Sequence, residues 1–202
     1  MTDDRASVRR RLREQRAALS ARERVQAAAG IVGVLEQIPE FLVDPRIAGY
    51  WAVGGEVPLN VVQMRLKSRE QQYFLPRLDD AGTLQFCAWQ TGAELVPNRF
   101  GISEPAADAA RCAARELDVV LVPLLGFDRN GNRLGMGAGY YDRTFAWLRD
   151  QPRPAQPLLV GIGYHFQELT ELAAQPWDVP LDYIATEREL IACVEPAAPL
   201  AF

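Results

Sequence analysis

The sequence predicts an α/β fold, a single domain in three α/β/α layers with a largely parallel central sheet. Short apolar runs alternate along the chain with stretches of helical periodicity, a pattern typical of strands joined by helical crossovers. One run, "DVVLVPLL" (118 to 125), is apolar nearly throughout, as expected of a central strand covered on both faces. The chain has 202 residues, of which 49% are hydrophobic. That length suits one core, so residues 1–202 are predicted to form one domain.

Two helices are predicted at the amino end. Val8, Leu12 and Leu19 recur at helical spacing. The segment "SARE", from Ser20 to Glu23, has the form of a capping box, which marks the start of a helix. One helix should therefore end near residue 19, and a second should begin there and run until Pro39.

Strands and helices then alternate. The predicted strands are "IAGYWA" (47 to 52), "QYFLP" (72 to 76), "LQFCAW" (84 to 89), the apolar run 118 to 125, "PLLVGIGY" (157 to 164) and "LIACV" (190 to 194). The predicted helices follow Pro58, cover the small-residue stretch "AADAARCAARE", follow Tyr140 and begin near Phe166.

Composition excludes several classes of function. The net charge is −4, so the overall basic excess of a nucleic-acid binder is missing and no nucleic-acid partner is expected. No run approaches the roughly 18 apolar residues of a membrane span, so no membrane partner is expected. The polar amino end lacks the apolar core of a secretory signal, which predicts a cytoplasmic location. Cys87, Cys112 and Cys193 lack C-x-x-C spacing and are predicted to be packing thiols. His165 is the lone histidine, and no nucleophilic triad is expected around it.

The segment "NRLGMGAGYYDR" (132 to 143) is the first candidate for a binding site. It follows the most apolar predicted strand, and open α/β sheets bind ligands outside the carboxyl ends of their strands. Gly135, Gly137 and Gly139 let backbone N–H groups approach an anion closely and form a nest. The alternative is a mobile glycine-rich connection, because a bare G-x-G-x-G is neither a Walker A motif nor a dinucleotide motif.

Charged residues and a predicted helix beside these glycines favour phosphate. A helix beginning near Tyr140 would aim its free N–H groups at the same point. Arg133 adds a fork of donors suited to phosphate oxygens. Asp142 supplies a hard oxygen ligand for Mg²⁺. Together these residues predict a polyphosphate site.

A second basic element lies on the first predicted helix. Arg5, Arg9 and Arg16 fall within about 40° of one another on a helical wheel, beside the apolar stripe. At that position guanidinium groups can reach into a cleft while their stems pack on the protein. The alternative is an ordinary solvated face, which is the commoner use of arginine on helices.

The segment "GFDRNGNRLGMGAGYYDR" resembles the signature of the 5-formyltetrahydrofolate cyclo-ligase family, approximately G-F-D-x-x-G-x-R-L-G-x-G-x-G-Y-Y-D, and every fixed position is present. Further segments are similar to the family's other motifs and follow the same order: "RASVRRRLREQRAALS", "YWAVGGEV", "FLPRL", "GISEP", "VGIGYHFQ" and "WDVPLDYIATERELI". The resemblance spans nearly the full chain. It implies ATP- and Mg²⁺-dependent conversion of 5-formyltetrahydrofolate to 5,10-methenyltetrahydrofolate with release of ADP and phosphate. The formyl oxygen would be phosphorylated, and N10 would then attack the formyl carbon.

The resemblance also implies roles for individual residues. ATP would be bound by Arg5, Arg9, Arg133, Leu134, Gly135, Met136, Gly137, Ala138, Gly139, Tyr140 and Tyr141. The folate would be bound by Trp51, Glu56, Met136, Gly137, Ala138, Gly139 and Tyr140. Asp142 and Asp182 would hold Mg²⁺, and Arg133 and Tyr140 would be the catalytic groups. The expected partners are these two small molecules, and the expected state is a monomer or weak homodimer.

Two positions depart from the family pattern. Arg5 stands where the family has Lys, which replaces a compact ammonium with a planar fork. Trp177 stands where the family often has His.

Glu56 can accept two parallel N–H bonds from an aminopyrimidinone ring. Without the family resemblance, Glu56 would be interpreted as an ordinary acid in a loop.

Two other functions stay open at this point. One is a nucleotide-binding protein that keeps the fold without catalysis, for which Arg5 in place of Lys is the favouring feature. The other is a relative of sugar-phosphate isomerases or CoA-transferases, which would work without ATP. Asp142, Asp182 and Trp51 argue against the second, because an isomerase needs neither Mg²⁺ nor a pterin-sized pocket.

Overall fold

The computed structural model describes residues 4–193 and shows helices arranged around a large mixed sheet. The helices are α1 (Arg5–Ala18), α2 (Ala21–Leu35), α3 (Pro39–Val43), α4 (Asn60–Ser68) and α5 (Tyr140–Thr144). The strands are β1 (Arg46–Ala48), β2 (Gln72–Leu78), β3 (Leu84–Ala88), β4 (Leu95–Pro97), β5 (Ser103–Pro105), β6 (Arg111–Cys112), β7 (Val119–Pro123), β8 (Gly126–Phe127), β9 (Arg133–Leu134), β10 (Leu158–Ile162), β11 (Tyr183–Ala185) and β12 (Leu190–Ala192). Short 3-10 helices cover Ala114–Glu116, Ala146–Leu148 and His165–Gln167.

Eight strands form the main sheet, in the order β12-β11-β10-β7-β1-β2-β3-β6. The inner strands β11, β10, β7, β1 and β2 pair in parallel, whereas β12, β3 and β6 add antiparallel edges. Strand β7 lies between β10 and β1, inside the sheet, and its residues up to Val122 are buried. The predicted α/β class, the largely parallel sheet and the central position of this run are confirmed.

The sheet is covered on both faces because successive strand residues point to opposite sides. On β7, Val119 and Leu121 pack into a core that includes α2 and α4. Val120 and Val122 pack into a second core with Phe145. Long helices cover the first face, whereas the short helical segments α5 and Ala146–Leu148 lie on the second.

The amino-terminal helices follow the prediction. The hydroxyl of Ser20 accepts the Glu23 N–H at 3.3 Å, and the Glu23 carboxylate accepts the Ser20 N–H at 2.8 Å. This closed capping box separates α1 from α2. Pro39 does not end α2, which stops at Leu35, but begins α3, because proline suits the first turn of a helix.

Three predicted helices are absent or shortened. The stretch "AADAARCAARE" holds β6 and a 3-10 helix, because Arg111 and Cys112 pair with β3 and tertiary pairing overrides the helix propensity of its alanines. The helices expected after Tyr140 and near Phe166 reduce to about one turn each. The strand predicted at 47 to 52 is shortened to β1, which ends at Ala48. Val194, the last residue of the strand predicted at 190 to 194, lies outside the described residues. Between residues 4 and 193, no helix is long and apolar enough to cross a membrane.

Candidate active site

The order in which strands are added to the main sheet reverses between β1 and β7. The chain runs outward from β1 to β2 on one side and returns through β7, β10 and β11 on the other. Such a switch opens a crevice at the carboxyl ends of the strands, where α/β folds bind ligands. A cleft of about 540 Å³ lies there, and its lining includes Tyr50 and Trp51 after β1, Pro123 at the end of β7, and the glycine loop. The topology therefore places the predicted segment at the site.

The three glycines of the loop are not equivalent in the structure. Gly137 has φ +105° and Gly139 has φ +67°, both in the region that favours glycine. Gly139 also precedes the first residue of α5. Gly135 lacks a positive φ, and its carbonyl accepts a hydrogen bond from Arg9 Nε at 3.0 Å. The turn of the loop thus depends on two glycines, and the third fastens the loop to α1.

The guanidinium of Arg133 forms hydrogen bonds within the protein. Its side chain is 7% exposed, and its terminal nitrogens donate to the Val179 carbonyl and to Asp142 Oδ1. The same Oδ1 accepts the Val179 N–H at 3.1 Å. Arg133 and Val179 therefore orient the Asp142 carboxylate, which lines the cleft. Direct contact of Arg133 with phosphate stays a prediction.

Two predicted site residues lie away from the cleft. Asp182 is 0% exposed, pairs with Arg153 and accepts the Leu159 N–H at 2.7 Å. Leu159 belongs to the amino-terminal half of β10, so Asp182 lies at the opposite end of the strands from Asp142. The structure therefore does not bring Asp142 and Asp182 together as the predicted pair of metal ligands. The side chain of Leu134 is also directed away from the cleft, because it is buried in a core beside Leu12.

The arginine face of α1 points into the cleft. Arg5, Arg9 and Arg16 all line it, which favours the predicted cleft-lining face over a solvated one. Arg5 donates to the Ala173 carbonyl at 2.6 Å and lies 3.5 Å from Asp178 Oδ2. One nitrogen, Nη2, makes both contacts, and through it Arg5 latches the start of α1 to the segment that carries Trp177 and Asp178.

Glu56 lies in the lining and is largely buried. Its Oε2 accepts the Val53 N–H at 3.0 Å, and its Oε1 lies 4.0 Å from Arg16 Nη1. Burial raises the pKa of Glu56, while the Val53 N–H and the Arg16 charge act in the opposite direction. Arg16 was not among the binding residues that the resemblance implied, although its spacing from Arg9 places both on one face of α1.

Exposed apolar side chains gather around the cleft. They are Trp51, Phe100, Met136 and Trp177. The Trp51 ring meets Trp89 edge-on at 5.9 Å, and the Phe100 ring meets Tyr140 edge-on at 6.4 Å. Exposed apolar surface concentrated at a cleft is typical of a ligand site. Sequence reasoning missed Phe100, which lies in the β4–β5 turn, and a bulky aromatic in a polar turn was the available signal.

One group of potential metal ligands lies elsewhere. In the described part of the chain, His165, Glu168 and Glu189 are the cluster whose ligand atoms approach one another closely enough to share an ion. Arg129 lies among them and donates to both carboxylates at 2.7 Å. The cluster is therefore an ion-pair network around a guanidinium.

The chemistry of the cleft follows from these parts. Arg9 and the glycine turn line the cleft and are joined by the hydrogen bond from Arg9 to Gly135, and the Asp142 carboxylate belongs to the same lining. Glu56 and Trp51 line the cleft as well. The arrangement suits an anionic group next to a flat, nitrogen-rich ring.

Comparison with known proteins agrees with the geometry. Residues 1–187 match the model of the 5-formyltetrahydrofolate cyclo-ligase family. A Haemophilus influenzae protein of that name is 32% identical over 184 residues, covering 89% of this chain and 96% of the relative. An Escherichia coli protein of the same name is 30% identical, covering 87% and 96%.

Solved structures show the same likeness. The NMR structure of Aquifex aeolicus 5,10-methenyltetrahydrofolate synthetase superposes with a TM-score of 0.80 at 28% identity, covering 98% of this chain and 96% of that one. The Mycoplasma pneumoniae 5,10-methenyltetrahydrofolate synthetase superposes with a TM-score of 0.72 at 25% identity, covering 92% and 99%. From its cleft, its motifs and these likenesses, the chain belongs to the 5-formyltetrahydrofolate cyclo-ligase family, a family of enzymes.

Proposed function

We propose that this enzyme uses ATP and Mg²⁺ to cyclise 5-formyltetrahydrofolate to 5,10-methenyltetrahydrofolate, releasing ADP and phosphate. One observation carries the proposal: the phosphate-type groups and the ring-type groups line a single cleft at the switch point of the sheet. A reaction that transfers a phosphoryl group from ATP to folate requires both substrates side by side.

The ATP phosphates are proposed to lie against the glycine loop and α1. Arg9 is held against Gly135 by its Nε, which leaves its terminal nitrogens to neutralise phosphate charge. The turn at Gly137 and Gly139 exposes backbone to the cleft, where N–H groups stabilise anions without needing a side chain. Arg5 also lines the cleft and adds a second cation.

The folate is proposed to lie against Glu56 and Trp51. Glu56 would accept N–H groups of the aminopyrimidinone ring, and Trp51 would cover the ring. Met136 and Tyr140 line the same cleft, which supports contacts of these residues with both substrates.

The donor set near the phosphates fits Mg²⁺. The ion favours oxygen ligands and is commonly held by one or two carboxylates together with substrate phosphates, and Asp142 lines the cleft with its carboxylate oriented by Arg133. When bound, Mg²⁺ would neutralise phosphate charge during transfer. Asp178 is a second carboxylate in the lining, although its Oδ2 already accepts the Gln175 N–H at 2.9 Å.

The protein's part in the reaction is positioning and charge. The formyl oxygen attacks the γ-phosphate of ATP and ADP leaves, so that a poor leaving oxygen becomes a phosphate ester. N10 of the folate then attacks the formyl carbon and loses its proton, and phosphate leaves. The arginines of α1 and the loop amides would stabilise charge on the transferring group. Arg133 and Tyr140 stay predicted catalytic groups, Arg133 acting through Asp142 in this geometry.

A spectrophotometric assay tests the proposal. The enzyme is given 5-formyltetrahydrofolate and Mg²⁺, with or without ATP, and the near-ultraviolet absorbance of methenyltetrahydrofolate is followed. A rise that requires ATP supports the proposal. No rise in protein that still binds ATP by calorimetry would favour the non-catalytic nucleotide binder. Turnover without ATP would favour an isomerase-like or CoA-transferase-like enzyme. A cytoplasmic location and a monomer or weak homodimer remain predictions.

A further inference from the structure

We propose that Arg16 is a positioning residue for folate binding: it holds the loop from Val53 to Glu56 so that the Glu56 carboxylate faces the substrate ring. The inference rests on the proposed function, because it takes Glu56 as the group that receives the ring. The family resemblance assigned Arg16 no role, and the helical wheel placed it only with Arg5 and Arg9 on a face that can reach into a cleft.

Burial is the first reason. Arg16 lies in the last turn of α1, and its side chain is only 2% exposed although it carries a full charge. Burying an arginine is costly unless its donors and its charge are matched. Burial itself lowers the pKa of Arg16, whereas the Glu56 carboxylate acts in the opposite direction. A charge kept at such a cost needs a partner, and the partners lie in the Val53–Glu56 loop.

The contacts reach both the backbone and the carboxylate of this loop. Arg16 Nε donates to the Gly54 carbonyl at 2.8 Å. Arg16 Nη1 lies 4.0 Å from Glu56 Oε1. Within residues 4–193, Arg16 provides the cation that lies within ion-pair distance of Glu56. One guanidinium therefore fixes the loop and sets the electrostatic surroundings of its acid.

The loop is shaped to wrap this side chain. Gly54 and Gly55 have φ +55° and +80°. A Cβ on Gly55 would lie 3.1 Å from the Arg16 carbonyl oxygen and 3.3 Å from its Cγ. A Cβ on Gly54 would lie 3.3 Å from Arg16 Nη2. The two glycines thus allow an approach to α1 that a larger residue would prevent.

The other braces hold the loop without contributing positive charge. Tyr50 donates its hydroxyl to the Val57 carbonyl at 2.8 Å, and Tyr164 donates to the Gly55 carbonyl at 3.1 Å. Because Glu56 Oε2 already accepts the Val53 N–H, Oε1 beside Arg16 is the oxygen with fewer partners in the protein. Arg16 would keep that carboxylate ionised and aimed, which is the form that accepts N–H groups.

Calorimetry on the full-length protein tests this role, with 5-formyltetrahydrofolate and ATP as separate probes. Arg16→Gln should raise the Kd for 5-formyltetrahydrofolate about tenfold or more, the loss of one charge-assisted contact, and leave the Kd for ATP within about twofold. Arg16→Lys, which keeps the charge without the fork, should fall between. Arg13→Gln removes an exposed charge from the same helix and should bind both ligands like wild type.

A double-mutant cycle separates positioning from general support of the fold. If Arg16 acts through Glu56, Arg16→Gln should weaken folate binding little further once Glu56→Gln is present. A wild-type Kd for folate in Arg16→Gln, an equal loss of ATP affinity, or additive losses in the double variant would overturn the inference. If Arg16→Gln does not fold, Arg16→Lys decides by the same folate and ATP comparison.

Controls with wild type distinguish a failure of the role of Arg16 from a failure of the proposed function. Wild type that forms methenyltetrahydrofolate with ATP, while Arg16→Gln binds folate normally, would refute the role of Arg16 and leave the proposed function standing. Wild type that does not bind 5-formyltetrahydrofolate would refute the proposed function and the inference together.

Discussion

The glycine loop offers a test in which chemically identical substitutions should give different results. At Gly137, φ is +105°, a backbone conformation that side chains rarely adopt. A Cβ there would meet nothing closer than the Arg9 guanidinium at 3.9 Å, an ordinary contact. The whole effect of Gly137→Ala should therefore come from the backbone rather than from a clash.

Its size follows from the cost of the conformation. Placing an L-residue in such a region costs about 1–2 kcal/mol. The free loop can relax to another conformation, so the strain is borne only when ATP binds. The Kd for ATP should therefore rise about 5- to 30-fold. Because residues 136 to 138 are exposed, the free protein should unfold near the wild-type temperature.

Gly135→Ala is the matched control. Gly135 lacks a positive φ, and a Cβ there would meet nothing within 4 Å. It should bind ATP within about twofold of wild type, because Ala in an allowed conformation costs nothing in the folded state. Calorimetric titration of ATP into each variant, with thermal unfolding alongside, makes the comparison. Equal losses at Gly135 and Gly137, or wild-type affinity in Gly137→Ala, would refute the reasoning.

The geometry gives expected outcomes for four further substitutions. Asp142→Asn should retain the fold, because the amide oxygen can still accept the Val179 N–H, but raise the Mg²⁺ concentration needed for half-maximal activity about tenfold or more. Asp182→Asn should leave that Mg²⁺ requirement unchanged, since Asp182 is buried at the opposite end of the strands; a shift equal to that of Asp142→Asn would restore Asp182 as a ligand. Burial raises the pKa of Glu56, so the folded state favours its protonated form; that stabilisation is complete below the unfolded pKa and is lost as the pH rises through the folded pKa. The free energy of unfolding of Glu56→Gln, measured with denaturant, should therefore equal that of wild type near about pH 4 and exceed it near about pH 7. The KM for folate should rise and the KM for ATP should not. A lower free energy of unfolding than wild type at neutral pH would contradict the raised pKa. Gly49→Ala should lower the free energy of unfolding by about 1–3 kcal/mol by overpacking, because its Cβ would lie 2.1 Å from the Tyr73 hydroxyl oxygen; an unchanged denaturation midpoint would show that Tyr73 moves aside freely.

Sequence reasoning succeeded where a pattern is local. The apolar run 118 to 125 became the buried strand β7, since a strand covered on both faces has no polar side to display. Ser20 and Glu23 are three residues apart and closed the predicted capping box. The helix predicted for the stretch "AADAARCAARE" was wrong, because pairing of Cys112 with Phe86 makes part of it a strand. That partner is distant in sequence, and no local periodicity reports it.

The sequence by itself determined the α/β class, the family resemblance and the segments that meet at the cleft, because periodicity, caps and motifs are short-range properties. Only the tertiary structure decided what each polar group does once there. Arg9 meets Gly135 across 126 positions of chain, and Arg133 meets Val179 across 46. Whether a guanidinium is free for a ligand or occupied by the protein depends on such contacts, and they are set by strand order and packing rather than by neighbouring residues. For the same physical reason, Asp182 became a buried partner of Arg153 at the far end of the strands.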